Sequence, residues 1–224
     1  MTMKKLFLLL LPALALGAGS AHAQLQKGMK YWGATVNFSG EFSRDEVPAY
    51  DNEVNKTSRP AISPEAQLGW FVSDKVMLGV GLRYGLTYQK TAIKSSDFES
   101  RSLSQNLQLL PFIRRYFSMN DRWAIFIHGE LGPNYSWSKV INKSIDTDKN
   151  DYWQYGLTVK PGVVYTFPNK KWSVEAYTNF LSLGFNYFPF PRDNGREITV
   201  SSGLNTNFPS YFSLRIARYI QPKN

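Results

Sequence analysis

Hydrophobic and polar residues alternate along this chain with a period of two over unusually long stretches. Between Val76 and Tyr88, apolar residues occupy the even positions and small or polar residues occupy nearly all the odd ones. Because successive side chains of a β-strand point to opposite faces, this segment predicts a strand with one apolar and one polar face. Its length of about thirteen residues exceeds that of ordinary soluble strands. Length and alternation together predict a strand that crosses a membrane.

The same alternation recurs along the chain and predicts eight strands. The segments are 29–42, 62–72, 76–88, 103–117, 123–137, 153–167, 172–187 and 208–220. The seventh segment loses its phase near residues 179–183, which we interpret as a β-bulge.

The connections between these segments alternate in length. Those at 73–75, 118–121 and 168–171 are short and rich in turn-forming residues. The other four, around 44–59, 90–101, 139–151 and 188–203, are long and polar. Short turns on one side and long loops on the other are typical of outer-membrane proteins with both termini in the periplasm.

These patterns predict an all-β fold, an eight-stranded antiparallel up-and-down transmembrane β-barrel with short periplasmic turns and four long extracellular loops. Closure is required because an open sheet edge in hydrocarbon would leave backbone N–H and C=O groups unpaired. The alternative is a soluble β-sandwich or lipocalin-like barrel, which would need its apolar faces turned inward and shorter strands.

The N-terminal residues predict export. Lys4 and Lys5 precede an apolar run at 6–16, and Ala21-His22-Ala23 supplies the small residues that a signal peptidase recognises. We therefore predict a signal peptide at 1–23, one barrel domain at 24–224, and localisation in the outer membrane of a Gram-negative cell. The chain contains no cysteine, so no disulfide supports this domain.

Composition and charge favour the same interpretation. Mean hydropathy is −0.33 although 15% of the residues are aromatic, a combination that fits a barrel with a polar interior and aromatic girdles. The formal charge of +9 falls to +7 without Lys4 and Lys5. A basic chain can bind nucleic acid, but the four long connections together carry about zero net charge, so we predict no nucleic-acid partner.

Strand-turn-strand segments over most of the chain resemble a known family. FVSDKVMLGVGLRY at 71–84, LLPFIRRYF at 109–117 with DRWAIFIHGELG at 121–132, and KPGVVYTFPNKKWSV at 160–174 are similar to the small outer-membrane β-barrel domain family. Its relatives are the OmpX-like and OmpA transmembrane-domain barrels. The resemblance implies residence among outer-membrane lipid and lipopolysaccharide, and delivery by periplasmic chaperones and the barrel-assembly machinery. It implies no particular ligand.

Charged side chains fall on the inward-facing positions of the predicted strands. Because side chains nearly fill an eight-stranded interior, we predict a network of ion pairs there. Its members are Glu65, Arg83, Arg114, Glu130, Lys160, Glu175, Arg215 and His128. Counting the register across the turn at 73–75 places Glu65 opposite Arg83 and predicts a salt bridge between them.

No catalytic, cofactor or metal site is predicted. His128 is the only histidine after the signal peptide, and Ser136 and Ser138 lie roughly 25 Å or more along the same strand. We predict a non-enzymatic structural or surface-interaction protein whose loops offer the surface for an extracellular ligand. The alternatives are a lipid A-modifying acyl hydrolase or acyltransferase on the same barrel, and a narrow pore. Four tryptophans near strand ends are predicted to anchor the membrane interfaces: Trp70, Trp123, Trp153 and Trp172.

Overall fold

The computed structural model describes residues 25–47, 53–93, 98–142, 149–168, 171–178, 183–189, 196–202 and 212–222. They form ten strands: β1 (Lys30–Val47), β2 (Glu53–Ser73), β3 (Val76–Ile93), β4 (Phe98–Ser118), β5 (Trp123–Asn142), β6 (Lys149–Thr166), β7 (Ser173–Thr178), β8 (Leu183–Pro189), β9 (Arg196–Ser202) and β10 (Phe212–Ile220). No helix in these ranges is long and apolar enough to cross a membrane. The predicted signal peptide, 1–23, lies outside the described residues.

The strands form one antiparallel sheet that closes into a ring. Neighbouring strands pair from β1 through to β6, β6 pairs with β7, β7 with β10, and β10 returns to β1. Eight strands complete this ring. β8 pairs with β6 beyond the end of β7, and β9 pairs with β8. The predicted all-β antiparallel fold is therefore confirmed, with β8 continuing the strand position that β7 begins.

An irregularity separates β7 from β8. Gly162 of β6 pairs with Tyr177, so an uninterrupted strand would place residue 180 opposite Val159. Leu183 pairs with Val159 instead, so three additional residues are accommodated between the two strands. Because three is odd, the phase reverses: the odd-numbered residues are buried in β7, whereas Leu183 and Phe185 are exposed in β8. The sequence shows this loss of phase, although residues 179–182 themselves lie outside the described part.

The prediction of four long loops was wrong for all four. In the last of them, 188–203, β8 and β9 are paired from Leu183–Ser202 to Pro189–Arg196. The β1–β2 ladder continues to the pair Val47–Glu53, the β3–β4 ladder to Ile93–Phe98, and the β5–β6 ladder to Lys139–Lys149. Most of 44–59, 90–101 and 139–151 is therefore β-hairpin. The alternation ends where both faces of a hairpin meet water, but backbone hydrogen bonds continue to pair the strands.

The two ends of the ring differ. At the turn end, short connections join β2 to β3, β4 to β5 and β6 to β7, whereas the hairpin end carries the extended ladders. The segment before β1 crosses the turn end: the Lys27 amide donates to Asp74 Oδ1 at 2.8 Å, and the Gly28 amide donates to the Phe71 carbonyl at 2.9 Å. Gly28 has a φ of 87°, which glycine adopts without strain. Met29 follows and is buried.

Ring closure can be tested by cross-linking, because the chain has no cysteine of its own. Ala34 of β1 and Ile216 of β10 are register partners that both face outward, and paired antiparallel residues lie within disulfide range. We expect Ala34→Cys with Ile216→Cys to cross-link within one molecule under mild oxidation, as measured by gel mobility. The matched pair Ala34→Cys with Ile220→Cys, four residues out of register, should not. Equal cross-linking of both pairs would contradict the closure.

Candidate functional site

The interior of the ring, here called the lumen, is filled at its turn end by apolar and aromatic side chains. Each of the eight strands of the ring supplies one or two of them, because the odd or even phase of each strand aims these side chains inward, and one more comes from the segment before β1. The cluster consists of Met29, Tyr31, Phe71, Met77, Phe112, Tyr116, Ala124, Phe126, Val164, Tyr177, Ala217 and Tyr219. This layer leaves no apolar side chain of the cluster more than 7% exposed.

Inward-facing glycines make room for these large side chains. A Cβ atom at Gly79 would collide with Phe112, and one at Gly162 would collide with Phe126. Alternation of small and large inward residues is how a small closed sheet fills its interior.

Arg114 lies at the centre of the lumen and is fully buried. A guanidinium has five N–H donors and no acceptor. Each N–H of Arg114 has an acceptor, on Glu175, Tyr116, Gln67, Tyr177 and His128. The Arg114–Glu175 ion pair is the central one, with Nη1 2.9 Å from Oε1 and 3.0 Å from Oε2.

Aromatic rings enclose the Arg114 guanidinium on its faces. Its Cζ atom lies 4.5 Å from the ring centroid of Phe126 and 5.0 Å from that of Tyr31. Cation–π contacts of this kind are stronger when water is excluded. Hydrogen bonds around its edge and rings on its faces therefore compensate the desolvation of a charge that would otherwise be too costly to bury.

His128 is held in one neutral tautomer. Arg114 Nε can only donate, so His128 Nδ1, at 3.3 Å, must be the acceptor. The proton therefore sits on Nε2, which donates to Glu130 Oε2 at 3.0 Å. Because both ring nitrogens are engaged and the side chain is fully buried, His128 links the Arg114 cluster to Glu130.

Glu65 and Glu130 form a second ionic layer on the hairpin side of Arg114. Glu65 accepts from Arg83 at 2.7 Å and from Arg215 at 2.5 Å. Glu130 accepts from Lys160 at 3.0 Å and lies 3.5 Å from Arg83. The structure thus places Glu65 opposite Arg83 in register and in an ion pair, as counting across the turn predicts. Arg83 bridges the two carboxylates.

All eight residues predicted for the lumen lie there. Their four cations, Arg83, Arg114, Lys160 and Arg215, exceed the three carboxylates by one, since His128 is neutral. Tyrosine hydroxyl groups join these charges and were not predicted from the sequence. Tyr31, Tyr177 and Tyr219 donate to Glu175. The signal was available, since Tyr177 lies two residues after Glu175 and therefore faces the same way.

The outer surface of the ring carries two groups of aromatic side chains. The four predicted anchor tryptophans are all on this surface: Trp70, Trp123, Trp153 and Trp172, exposed by 52%, 43%, 50% and 36%. Three lie near the turn end. Trp153 lies toward the hairpin end, with its ring centroid 4.9 Å from that of Tyr135.

Between these groups the outer face is apolar. On β5, the outward residues that lie between Trp123 and Tyr135 are all isoleucine, leucine, glycine or proline. Ile127 and Leu131 are 47% and 58% exposed there, and Leu157 on the adjacent strand is 45% exposed. We call this band the outer belt. In water such a continuous exposed apolar surface would be unfavourable.

Comparisons with known proteins give only distant similarities. No family model and no curated protein sequence matches the chain. Among solved structures, the transport unit of the autotransporter AIDA-I from Escherichia coli is 14% identical, covers 94% of this chain and 71% of its own, and has a TM-score of 0.43. Neisserial surface protein A is 14% identical, with 86% and 97% coverage and a TM-score of 0.34.

A third similarity is to the toluene transporter TodX of Pseudomonas putida, at 9% identity, 94% and 72% coverage and a TM-score of 0.25. All three TM-scores are too low to assign a function to this chain.

The described residues include no group of three or more histidine, cysteine, aspartate or glutamate side chains placed to hold a metal ion.

The Arg114–Glu175 pair gives a test of the lumen. Arg114→Met leaves Glu175 buried without its main counter-charge, and we expect the free energy of unfolding in detergent to fall by about 3–5 kcal/mol. Arg115→Met, at the next residue on the outer face, should change it by less than about 1 kcal/mol. Because Arg114→Met with Glu175→Gln removes both charges, the double variant should recover part of the loss. Equal effects of the two single variants would contradict the central role of Arg114.

Proposed function

We propose that this protein is a non-enzymatic β-barrel of the bacterial outer membrane, with a structural or surface-interaction role and a lumen filled by side chains. The observation that carries this proposal is the outer belt, an exposed apolar band around a charged interior. This distribution is the reverse of that in a soluble protein, and it suits a ring surrounded by lipid.

The height of the outer belt fits a membrane. Twelve residues separate Trp123 from Tyr135 along β5, or about 40 Å at the rise of a β-strand. At the tilt of about 35–45° found in membrane barrels, this length spans about 30 Å along the membrane normal, close to an apolar band of about 25 Å with its flanking aromatic girdles. Tryptophans at both borders support this placement.

The two ends of the ring support an orientation. The turn end, with its short connections and the crossing N-terminal segment, corresponds to the periplasmic side of such barrels. The hairpin end would then face outward through the lipopolysaccharide, with β5 continuing seven residues beyond Tyr135 to Asn142. These polar hairpins are the surface that we propose for contact with an extracellular ligand.

The arrangement of His128 supports a non-enzymatic role over the lipid A-modifying alternative. An acyl hydrolase or acyltransferase would need a base and a nucleophile that reach lipid. His128 faces the lumen, is fully buried, and has both ring nitrogens in hydrogen bonds with Arg114 and Glu130. The carboxylates of the lumen form ion pairs with arginine and lysine side chains. No cofactor is proposed.

The membrane placement predicts a position-dependent effect of charge. Leu131→Arg puts a cation in the middle of the outer belt, and we expect it to lower the free energy of unfolding in lipid bilayers by about 2–4 kcal/mol. Met119→Arg is the matched control, because Met119 is also exposed, by 57%, but lies in a turn outside the belt. Its effect should be at most about 1 kcal/mol. Similar losses from both variants would contradict the placement.

The lipid A acyl pattern of a deletion strain distinguishes a structural role of this protein from the enzymatic alternative. We expect the lipid A acyl pattern, measured by mass spectrometry, to be the same with and without the gene, because no group of the lumen can reach an acyl chain. Complementation with the wild-type chain provides the control. An acyl chain gained or lost in the deletion strain, and restored by complementation, would overturn the non-enzymatic proposal.

A further inference from the structure

The lumen is not filled along its whole length. On the hairpin side of the ionic layer lies a cavity of about 150 Å³, which we call the vestibule. Its floor is formed by Arg83 and Glu130, and its walls by residues of β4, β5, β6 and β8. A volume of this size holds about five water molecules or a single sugar ring.

The walls of the vestibule are lined by a chain of uncharged amides. Asn134 Nδ2 donates to Gln154 Oε1 at 3.4 Å, and Gln154 Nε2 donates to Asn186 Oδ1 at 3.1 Å. Each amide in this chain donates to the next, so one acceptor is left at its beginning. That atom, Asn134 Oδ1, is buried and has no hydrogen-bond partner in the structure. A buried acceptor is costly unless it receives a hydrogen bond, and a donor bound in the vestibule, which Asn134 lines, can supply one.

The floor of the vestibule offers hydrogen-bond donors beside charges of both signs. Arg83 Nε donates to Glu65, and Nη2 donates to Glu130. Its remaining nitrogen, Nη1, donates to Gln108 Oε1 at 3.0 Å. Since Nη1 carries two hydrogens, one of them is left for a ligand, and the Gln108 amide nitrogen is a further donor. Arg83 shares Glu65 with Arg215 and shares Glu130 with Lys160. A free anion would meet Glu130, and a free cation would meet Arg83 and Lys160.

Glycine keeps part of this space open. Gly156 faces inward on β6 opposite Asn186. A Cβ atom there would lie 3.1 Å from Asn186 Oδ1, at the end of the amide chain. Asn186 would have to move by a few tenths of an ångström to admit a Cβ atom at this position.

We propose that the vestibule binds one neutral, hydroxyl-rich ring, namely a sugar unit. Hydroxyl groups both donate and accept, so a sugar satisfies the Asn134 acceptor and the donors of Arg83 and Gln108 at the same time. Acyl chains are excluded because only Leu110 and Pro133 supply large apolar surface among the lining residues. This site is independent of the membrane placement proposed above, since it rests on the lumen alone.

The proposal is tested by ligand-detected NMR on the full mature chain folded in lipid nanodiscs. The probes are methyl α-D-glucopyranoside and methyl β-D-galactopyranoside, with D-glucuronate as the anionic counterpart. We expect saturable binding of a neutral glycoside. Asn134→Leu and Gln154→Met should each weaken it by about tenfold, the effect of losing one hydrogen bond to a buried partner. Gln105→Met, which alters an amide that accepts from Tyr84 outside the vestibule, should leave binding unchanged.

A second probe, core oligosaccharide released from lipopolysaccharide, distinguishes the source of the sugar. Competition between this oligosaccharide and the methyl glycoside would identify a membrane glycolipid as the source, whereas binding of the glycoside alone would indicate a free sugar. Three results would overturn the proposal: no saturable binding of any neutral probe, tighter binding of glucuronate, or equal binding by wild type and both vestibule variants. Folding of each variant is verified first by the shift in gel mobility between heated and unheated samples.

Discussion

The backbone pairing of β1 with β10 is the constraint on which the rest of this structure depends. Register partners run from Lys30–Ile220 to Ala34–Ile216, and they join the first strand of the chain to the last. Without this ladder the sheet would be an open ribbon with two free edges. With the β1–β10 ladder in place, every side chain of the ring points either outward or into the lumen. The lumen then has a fixed width, and the inward residues must fill it.

The chemistry of the lumen follows from that division. Because the outer belt takes the apolar side chains, the polar ones are directed inward, where each charge loses water. Arg114 and Glu175 are tolerated because rings and hydroxyl groups surround them on every side. Arg83 is tolerated because it lies between two carboxylates. Buried tyrosine hydroxyl groups connect these ion pairs into one network, so removal of any member affects several others.

Along its axis the lumen changes from closed to open. The turn end is sealed by the apolar cluster and by the segment that crosses it at Met29. The ionic layer of Glu65 and Glu130 follows, and the vestibule lies beyond it. A ring can be filled at one end and still hold a polar cavity at the other, because a cavity needs walls from several strands but no exit on the other side.

The sequence by itself determined the eight strands of the ring, their faces and the membership of the ionic network, because a period of two fixes which side each residue takes once a strand exists. It missed β9, which falls within the connection predicted at 188–203. It placed Glu65 opposite Arg83 by counting across the turn predicted at 73–75. In the structure Ser73 pairs with Val76, and a β-bulge between Phe71 and Ser73 keeps the counted register. The sequence predicted wrong lengths for the hairpins, because alternation disappears when both faces meet water. Only the tertiary structure decided the three-residue offset between β7 and β8, the acceptors around Arg114, and the unpaired Asn134 Oδ1 in the vestibule. These depend on contacts between strands far apart in sequence, and a periodic pattern carries no information about distances across a lumen.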